Sequence, residues 1–466
     1  MIRLFKHYVP LPLLLLAITE AVVLFSSMYA GTALRFTGGR YGDFESAGPT
    51  LPRALVFTFV MLSIMTAFGL HQRDAKQEGA WGYSVRFMAS FAVGLVVMLL
   101  IFYAVPSLYL GRGAFGLVFL IAFVGAAVTR LIFTRLFKLD VLNRRILLLG
   151  AGSRSSKVEM LERDENGQRK FNLVGCLPLT NTECCITKTR VFQYQGSILT
   201  IAKKHRIDEI VVGVRERRNG GLPADQLLEC KLAGIEIADL SSFFERETGQ
   251  IQLESLNPSW MIFSDGFRRG SIKDITKRLF DIVASSVLLL ITLPIMFITT
   301  MLIWLESSGP ILYRQERVGE YGRSFHVLKF RSMCVDAERD GVPQWAKKQD
   351  DRVTRVGRVI RKMRIDELPQ VFNVLRGDMS FVGPRPERPY FVNELTGQTP
   401  YYPSRHTVKP GITGWAQIRY PYGATTEDAI QKLQYDLYYV KNHTLFLDLV
   451  ILLQTAQVIL FGKGAR

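Results

Sequence analysis

The residues best suited to chemistry lie in Arg364-Ile365-Asp366-Glu367-Leu368-Pro369-Gln370, which follows Arg352, Arg355, Arg358 and Arg361 and precedes Gly383-Pro384-Arg385-Pro386. Adjacent carboxylates among guanidinium groups suit metal-assisted attack on a phosphate: one supplies a nucleophile, and the other orients Mg²⁺. Arginines would neutralise the phosphate oxygens, bidentately where geometry allows. Arg317, Lys329 and Arg331 extend the cationic set. Each piece alone is weak, because Asp-Glu pairs are common on ordinary helices and a run of charge is usually a solvated face. Clustered directly after a long apolar segment, these pieces form a much stronger signal.

Such a site needs elements to hold it. The three-residue recurrence of Arg352, Arg355, Arg358 and Arg361 predicts one side of a helix. Pro369 is tolerated in a first helical turn, so Asp366 is expected near an N-terminus whose free N–H groups favour anions. Gly383–Pro386 reads as a rigid loop presenting Arg385. Upstream, the apolar residues 279–305 are long enough to cross a bilayer. Their flanks oppose a crossing. Arg268, Arg269, Lys273, Lys277 and Arg278 precede them, and Arg314, Arg317, Arg323, Lys329 and Arg331 follow. A span would put one basic side outside, against the positive-inside bias. Pro294 sits near the centre, where it removes a hydrogen bond and kinks the backbone. The expectation is a re-entrant helix-break-helix, with Ser285, Ser286 or Thr292 among the groups that meet the freed backbone. A Pro-kinked true span is the alternative.

Four more apolar stretches, 9–34, 54–70, 84–106 and 114–137, predict a four-helix transmembrane bundle. Arg3 and Lys6, then Arg73, Lys76 and Arg86, then Arg135, Lys138, Arg144 and Arg145 place both ends of the block in the cytoplasm. The opposing loops hold Arg35, Arg40, Arg53 and Arg112, so the bias is modest. Glu20 and Arg130 fall inside spans. They are functional if this is a transporter, or else Glu20 faces the bundle interior and Arg130 snorkels to the interface.

The chain's composition is consistent with this division. Its 466 residues carry 58 Lys+Arg against 41 Asp+Glu, a formal charge of +17, with 48% hydrophobic residues and mean hydropathy +0.15. Basicity of this size implies nucleic acid, an anionic membrane or a phosphorylated substrate, and the apolar content argues against nucleic acid. It also excludes a disordered chain. Cys176, Cys184, Cys185, Cys230 and Cys334 have no CxxC spacing and read as structural or incidental thiols.

Between the two apolar regions, Arg145–Leu149 runs into Gly150-Ala151-Gly152, and further strands are expected at 171–176, 208–214 and 234–239. This predicts a Rossmann-like parallel sheet. A dinucleotide fingerprint wants a third small residue where Ser155 stands, and an acid after the second strand, whereas Asp164 and Glu165 precede it. Cofactor binding, regulatory nucleotide or sugar-nucleotide binding, and a scaffold or dimerisation role all stay open. The tail 445–461 is apolar but interrupted by Asp448, Gln454 and Gln457, and reads as an interfacial helix or a packed core helix. Trp415, Tyr401 and Tyr402 suit headgroup anchoring or ordinary aromatic packing equally.

The ordered series KRLFD (277–281), SGP (308–310), QERVG (315–319), KFRSM (329–333), DELPQ through GDMS (366–380), GPRP (383–386) and KPGITGWAQI (409–418) resembles the bacterial sugar transferases. These are monotopic polyprenyl-phosphate sugar-1-phosphate transferases. The resemblance covers about residues 270–466, and the whole layout is similar to long-form, exopolysaccharide-initiating members. It implies that Asp366 attacks the β-phosphate of a UDP-sugar, that UMP leaves, and that polyprenyl (undecaprenyl) phosphate then takes the sugar-phosphate. Glu367 matches the Mg²⁺-associated acid and Lys329 the basic residue of the KFR motif. Arg361 and Arg385 match phosphate contacts. Arg317, Arg331 and Asp436 complete the implied phosphate-binding set. The family's Ser-Pro bend is Leu293-Pro294 in this sequence.

The expected architecture is a membrane protein of α plus α/β class. A transmembrane domain covers 1–140, a Rossmann-like cytosolic domain 141–265, and a mainly helical monotopic catalytic domain 266–466, its re-entrant helix at about 279–305. It would sit in the bacterial inner membrane, multi-pass, with the catalytic domain on the cytoplasmic face, as a homodimer. Glucose or galactose is suggested by analogy alone. The competing readings are a nucleotide-sugar oxidoreductase using the 150–155 loop and a non-catalytic scaffold or regulator of polysaccharide assembly.

Overall fold

The structure, a computed structural model, describes residues 2–4, 6–36, 50–71, 79–136, 144–150, 152–162, 171–179, 191–192, 196–213, 222–253, 270–334, 352–420, 423 and 425–461. Arg40, Arg73, Lys76, Lys138, Ala151, Asp164, Glu165, Cys184, Cys185, Arg268 and Arg269 lie outside the described residues. The chain divides into two compact units: residues 10–62 with 73–256, and residues 2–9 with 63–72 and 257–466. The antiparallel hairpin β1 (Ile2–Leu4) and β2 (His7–Val9) belongs to the second.

The first unit contains α1 (Leu11–Phe36), most of α2 (Thr50–Ala67), α3 (Gly79–Ala104) and α4 (Arg112–Leu136), each long and apolar enough to cross a membrane. In α1 the buried residues Leu16, Glu20, Leu24, Ser27, Met28 and Gly31 form one helical stripe, while Leu15, Ile18, Val22 and Leu34 are exposed. Such a helix is apolar on its outer face too, as lipid requires. Helices α1 and α4 approach closely at glycines. A Cβ on Gly31 would lie 2.6 Å from Val118, and one on Gly125 2.6 Å from Val23. Glu20 faces inward, as the non-transporter reading expects. Arg130 does not snorkel: it is buried, donates to Glu20 Oε2 at 2.9 Å and to the Tyr83 hydroxyl, and lies over the Phe87 ring. Pairing satisfies both charges inside the unit, which removes the reason to reach for water.

The same unit carries a parallel sheet of β3 (Arg145–Leu149), β4 (Asn172–Leu177), β5 (Glu209–Val212) and β6 (Glu236–Asp239), ordered β4-β3-β5-β6. Helices α5 (Ser153–Leu161), α6 (Ile198–Lys204), α7 (Ala224–Leu232) and α8 (Leu240–Thr248) alternate with the strands. Side chains alternate across the sheet. Ile146, Leu148 and Val211 pack with Phe171, Phe243 and Phe244, whereas Leu147, Leu149 and Ile210 pack with Ile198 and Leu227. Ser155 is fully buried and abuts Gly213, where a Cβ would lie 2.6 Å from its Oγ. A side chain in the third fingerprint place is tolerated because its neighbour has none.

The second unit is organised around α9 (Ser271–Glu306), a helix of 36 residues that runs through Pro294 without the expected break in helical assignment and has a contour of about 54 Å at 1.5 Å per residue. Asp281, Ser285, Thr292, Met296, Thr299 and Ile303 form its buried stripe, and Leu290, Ile291, Phe297 and Trp304 are exposed. Polar groups thus face the protein and apolar groups face out. Asp281 Oδ1 accepts from Ser380 Oγ and Phe381 N, both at 3.0 Å, and Lys277 donates to Val382 O at 3.1 Å. Glu306, at the other end, accepts from Arg355 N and Val356 N at 2.8 and 3.1 Å, capping α10 (Arg355–Lys362). The rest of the unit comprises the antiparallel pair β7 (Leu312–Val318) and β8 (Ser324–Phe330), α11 (Gln370–Arg376), the parallel pair β9 (Ser380–Val382) and β10 (Gly411–Thr413), α12 (Pro389–Gln398), α13 (Trp415–Arg419), α14 (Thr426–Asn442) and α15 (Leu445–Phe461).

In α15 the polar interruptions Asp448, Gln454 and Gln457 are buried while Leu445, Leu449 and Ile459 are exposed. Asp448 accepts from Lys277 Nζ and the Tyr439 hydroxyl, each at 2.8 Å. Trp415 and Tyr402 are buried, so packing is their role and headgroup anchoring is not. Trp415 stacks on Tyr438 and meets the edge of His7.

Candidate active site

Two backbone arrangements build the site. Thr354 Oγ1 accepts from Gly357 N at 2.9 Å and, with Glu306, starts α10 at Arg355. The predicted arginine stripe is therefore shorter than its sequence period: Arg352 precedes the helix, Arg355 and Arg358 are exposed, and Arg361 in the last turn lines the cleft. Arg364 then takes a left-handed conformation, φ 59°, which is sparsely populated for a residue with a Cβ. It reverses the chain into a 3₁₀ turn, Ile365–Glu367. Asp366 consequently lies just before α11 rather than in its first turn. Helix α11 is tied to β8 by Asn373, whose Oδ1 accepts from Leu328 N at 3.0 Å and whose Nδ2 donates to His326 O at 2.8 Å. That tie brings Lys329 beside the acidic pair.

The second arrangement is the close approach of the GPRP and KPGITGW segments. Gly383 N donates to Thr413 O and Gly411 N to Pro384 O, both at 2.9 Å. A Cβ on Gly383 would lie 2.4 Å from Lys409 O, so only glycine admits this contact. The loop it fixes carries Arg385.

The side chains meet in a cleft of about 460 Å³ lined by Lys329, Arg361, Arg364, Asp366, Glu367 and Arg385, among others. Glu367 Oε1 accepts from Arg385 Nη2 at 2.6 Å and Lys329 Nζ at 3.1 Å. Burial works against its charge, but Arg385 and Lys329 hold its carboxyl well below the usual range. Asp366 is only 8% exposed, and its Oδ1 has no hydrogen-bond partner among the described residues. Burial, then the neighbouring Glu367 charge, push its carboxyl up, against Lys329, Arg364 and Arg361. Burial also lowers the Lys329 ammonium despite the attraction of Glu367. Two adjacent carboxylates are thus differentiated: one is locked as an anion by two cations, and the other borders the arginine-lined cleft and keeps a buried oxygen with no hydrogen-bond partner among the described residues.

The remaining sequence-predicted residues also border the cleft but have prior partners. Arg317 donates to Gln315 Oε1 at 2.6 Å and Pro386 O at 3.0 Å, bracing the Arg385 loop. Arg331 donates to Ser307 O and Ser308 O at 2.7 and 3.0 Å, fastening the end of α9. Asp436, on α14, pairs with Arg405 at 2.8 Å, and burial raises its carboxyl to about 6. Pro294 is not among the cleft residues. Sequence reasoning missed Arg405, which links Asp436 to the site by donating to Arg385 O at 2.9 Å and to the Tyr402 hydroxyl at 2.6 Å. It also missed Arg364 as the turn-former. Position 364 carried a faint signal, a residue between an arginine helix and a proline-marked turn; position 405 carried none.

A family profile described as bacterial sugar transferase matches residues 272–462. The chain is 42% identical over 261 residues to a UDP-N-acetylgalactosamine-undecaprenyl-phosphate N-acetylgalactosaminephosphotransferase of Aeromonas hydrophila, covering 56% of this chain and 61% of the relative. It is 42% identical over 194 residues to a UDP-glucose:undecaprenyl-phosphate glucose-1-phosphate transferase of Caulobacter vibrioides, covering 41% and 72%. A protein of that same description from Klebsiella pneumoniae is 36% identical over 281 residues, covering 58% and 59%. The matched parts span under two thirds of the Aeromonas and Klebsiella relatives' own lengths.

Proposed function

The chain belongs to the bacterial sugar transferase family, and we propose that it transfers a sugar-1-phosphate from a UDP-sugar to polyprenyl phosphate, the first membrane step of exopolysaccharide or glycoconjugate synthesis. The observation that carries this reading is the differentiated pair: Asp366 buried with an unpartnered Oδ1, beside a Glu367 held by Lys329 and Arg385.

In the first step the Asp366 carboxylate attacks the sugar-bearing β-phosphorus, a P–O bond to the carboxylate forms, and the bond to UMP breaks, its electron pair leaving with UMP. In the second a phosphate oxygen of the polyprenyl phosphate attacks the same phosphorus and the Asp366 carboxylate is released. The product is a polyprenyl diphosphate sugar. Arg361 and Arg385 receive the phosphate oxygens, with Arg317 and Arg331 bracing the surrounding loops. Lys329 keeps Glu367 anionic and adds charge at the developing diphosphate. Asp436 acts through Arg405 on the Arg385 backbone.

Mg²⁺ belongs to this reading. Among the described residues no three acidic, His or Cys side chains are grouped for a metal, and Mg²⁺ characteristically takes one or two carboxylates together with substrate phosphates and water. The Asp366 and Glu367 carboxylates, adjacent in the cleft, would supply that donor set. When bound, the ion would neutralise charge on the diphosphate.

The re-entrant course of α9 is supported by its ends: Lys277 and Asp281 at one, and Glu306 with Ser307 and Ser308 at the other, all bond to the same globular part. That arrangement favours both ends on one face, cytoplasmic by the basic flanks. The reading further includes the transmembrane bundle of α1–α4, an inner-membrane location, the functional division 1–140, 141–265 and 266–466, a Rossmann-like role for the sheet segment, and a homodimer. The relatives' names divide between N-acetylgalactosamine and glucose, so the sugar is a question for a panel. Purified protein with Mg²⁺, polyprenyl phosphate and each UDP-sugar should release UMP. EDTA should stop it; release undiminished by EDTA would remove the metal from the account.

A further inference from the structure

A second cavity, about 640 Å³ and sharing no lining residue with the catalytic cleft, opens beside the first turns of α9. It is bounded by Lys273, Lys277, Arg278 and Lys409, and by Thr444 and Leu445 at the start of α15. Its cations are of two kinds. Lys277 is committed to Asp448 and Val382 O, and Arg278 closes the C-terminus of α11 through Val374 O and Leu375 O, at 2.5 and 2.7 Å. Lys273 and Lys409 have no hydrogen-bond or ion-pair partner among the described residues, although Lys409 is half-buried. Neither ammonium is committed to the protein, so an anion entering the cavity meets two available cations. Gly270 caps the first turn of α9 without a side-chain hydrogen bond, and Asp274 is the acid within that turn.

The surroundings narrow the kind of anion. Ile272, Ile275 and Leu279 alternate with these cations along α9 and are 81%, 69% and 61% exposed. A soluble anion has no use for such an apolar apron, whereas a phospholipid brings a phosphate and two acyl chains in that relation. The acidic residues Asp274, Asp281 and Glu320 also border the cavity. Asp281 is already engaged by Ser380 and Phe381.

The geometry points to a binding site for the phosphate headgroup of an anionic glycerophospholipid in this cavity, held by Lys273 and Lys409 and separate from the site of transfer. It goes beyond the transferase reading and does not depend on Asp366 chemistry. The test uses the full chain equilibrated with mixed phosphatidylcholine and phosphatidylglycerol vesicles, repurified in mild detergent, with retained lipid counted by mass spectrometry. Wild type should be enriched in phosphatidylglycerol. Lys273→Gln with Lys409→Gln should lose that enrichment, by about fivefold per lysine, and Lys→Arg at both positions should keep it. Lys203→Gln with Lys204→Gln, on α6, controls for net charge and should change nothing. Equal retention in the Gln and wild-type proteins overturns the site. Displacement by millimolar inorganic phosphate would instead make it a soluble-anion site, and stoichiometric displacement by undecaprenyl phosphate would make it an acceptor subsite; either result also overturns the proposal. Because the readout is bound lipid, a failed transferase assay and a failed headgroup site are separately visible.

Discussion

At the residue scale the central fact is that two neighbouring carboxylates have opposite electrostatic fates. Asp366 is held above its ordinary value by burial and by Glu367, so its ionised form costs the folded state. That contribution is favourable below the unfolded value near 3.8 and is lost as pH rises through the folded one. Asp366→Asn should therefore melt higher than wild type at neutral pH, the gain shrinking as pH falls, while transfer drops by about 10³-fold or more. Glu367 runs the other way: its stabilising contribution is present above 4.5 and is lost as pH falls through its depressed folded value. Glu367→Gln should lower the melting temperature at pH 7 and lose that deficit in acid, read by thermal melts across pH. Asp436, raised to about 6, should give kcat/KM an acidic limb near that pH as protonation releases Arg405; Asp436→Asn should flatten the limb. The acidic pair and the arginines around it were legible as a cluster of charge, whereas the individual roles of Lys329, Arg361 and Arg385 came from the family resemblance. Arg405 was not legible, since a single arginine gains its meaning from burial against Asp436 on a distant helix.

At the element scale, glycines and caps set the positions of charges. Gly383→Ala would press a Cβ against Lys409 O and shift the Arg385 loop. Activity should fall about 10²-fold, the order expected for a displacement near 1 Å. Gly397→Ala on α12, where the space is open, should be silent in the same assay. Glu306→Ala should cost about 1 kcal/mol through the lost cap on α10, read as a lower melting temperature. Helix existence and strand positions were legible from periodicity: β4 and β6 fall within a residue or two of expectation. Helix α10 began a turn late because its cap, Thr354, is a local feature that an arginine period does not report. In α15 the hydrophobic run was visible, but the inward direction of Asp448, Gln454 and Gln457 depended on Lys277, Tyr439 and the packing of the unit.

At the scale of the whole molecule, the sequence divides strong basicity from strong apolarity, and the structure gives each a place. Apolar surface is concentrated on helices long enough for a membrane, and cations gather around two cavities, one at the candidate active site and one beside α9. The incorporation of residues 2–9 into the C-terminal unit was not legible: strands of three residues have no period to read, and His7 earns its position through Tyr438, 431 residues away. Single Cys substitutions at 307–312 should label from the cytoplasmic face; labelling from the periplasm alone would convert α9 into a true span. Mass in native-like lipid should correspond to two chains, and a monomer would remove the dimer. The central claim, a sugar-phosphate carried on Asp366, is tested most directly by intact mass of the full chain, acid-quenched after incubation with Mg²⁺ and the UDP-sugar that the panel selects, without polyprenyl phosphate. The expected result is an added mass of one sugar-phosphate that maps to the Asp366 peptide, disappears on adding polyprenyl phosphate and is absent from Asp366→Asn. Turnover by wild type with no adduct, or the same adduct on the Asn variant, would contradict it.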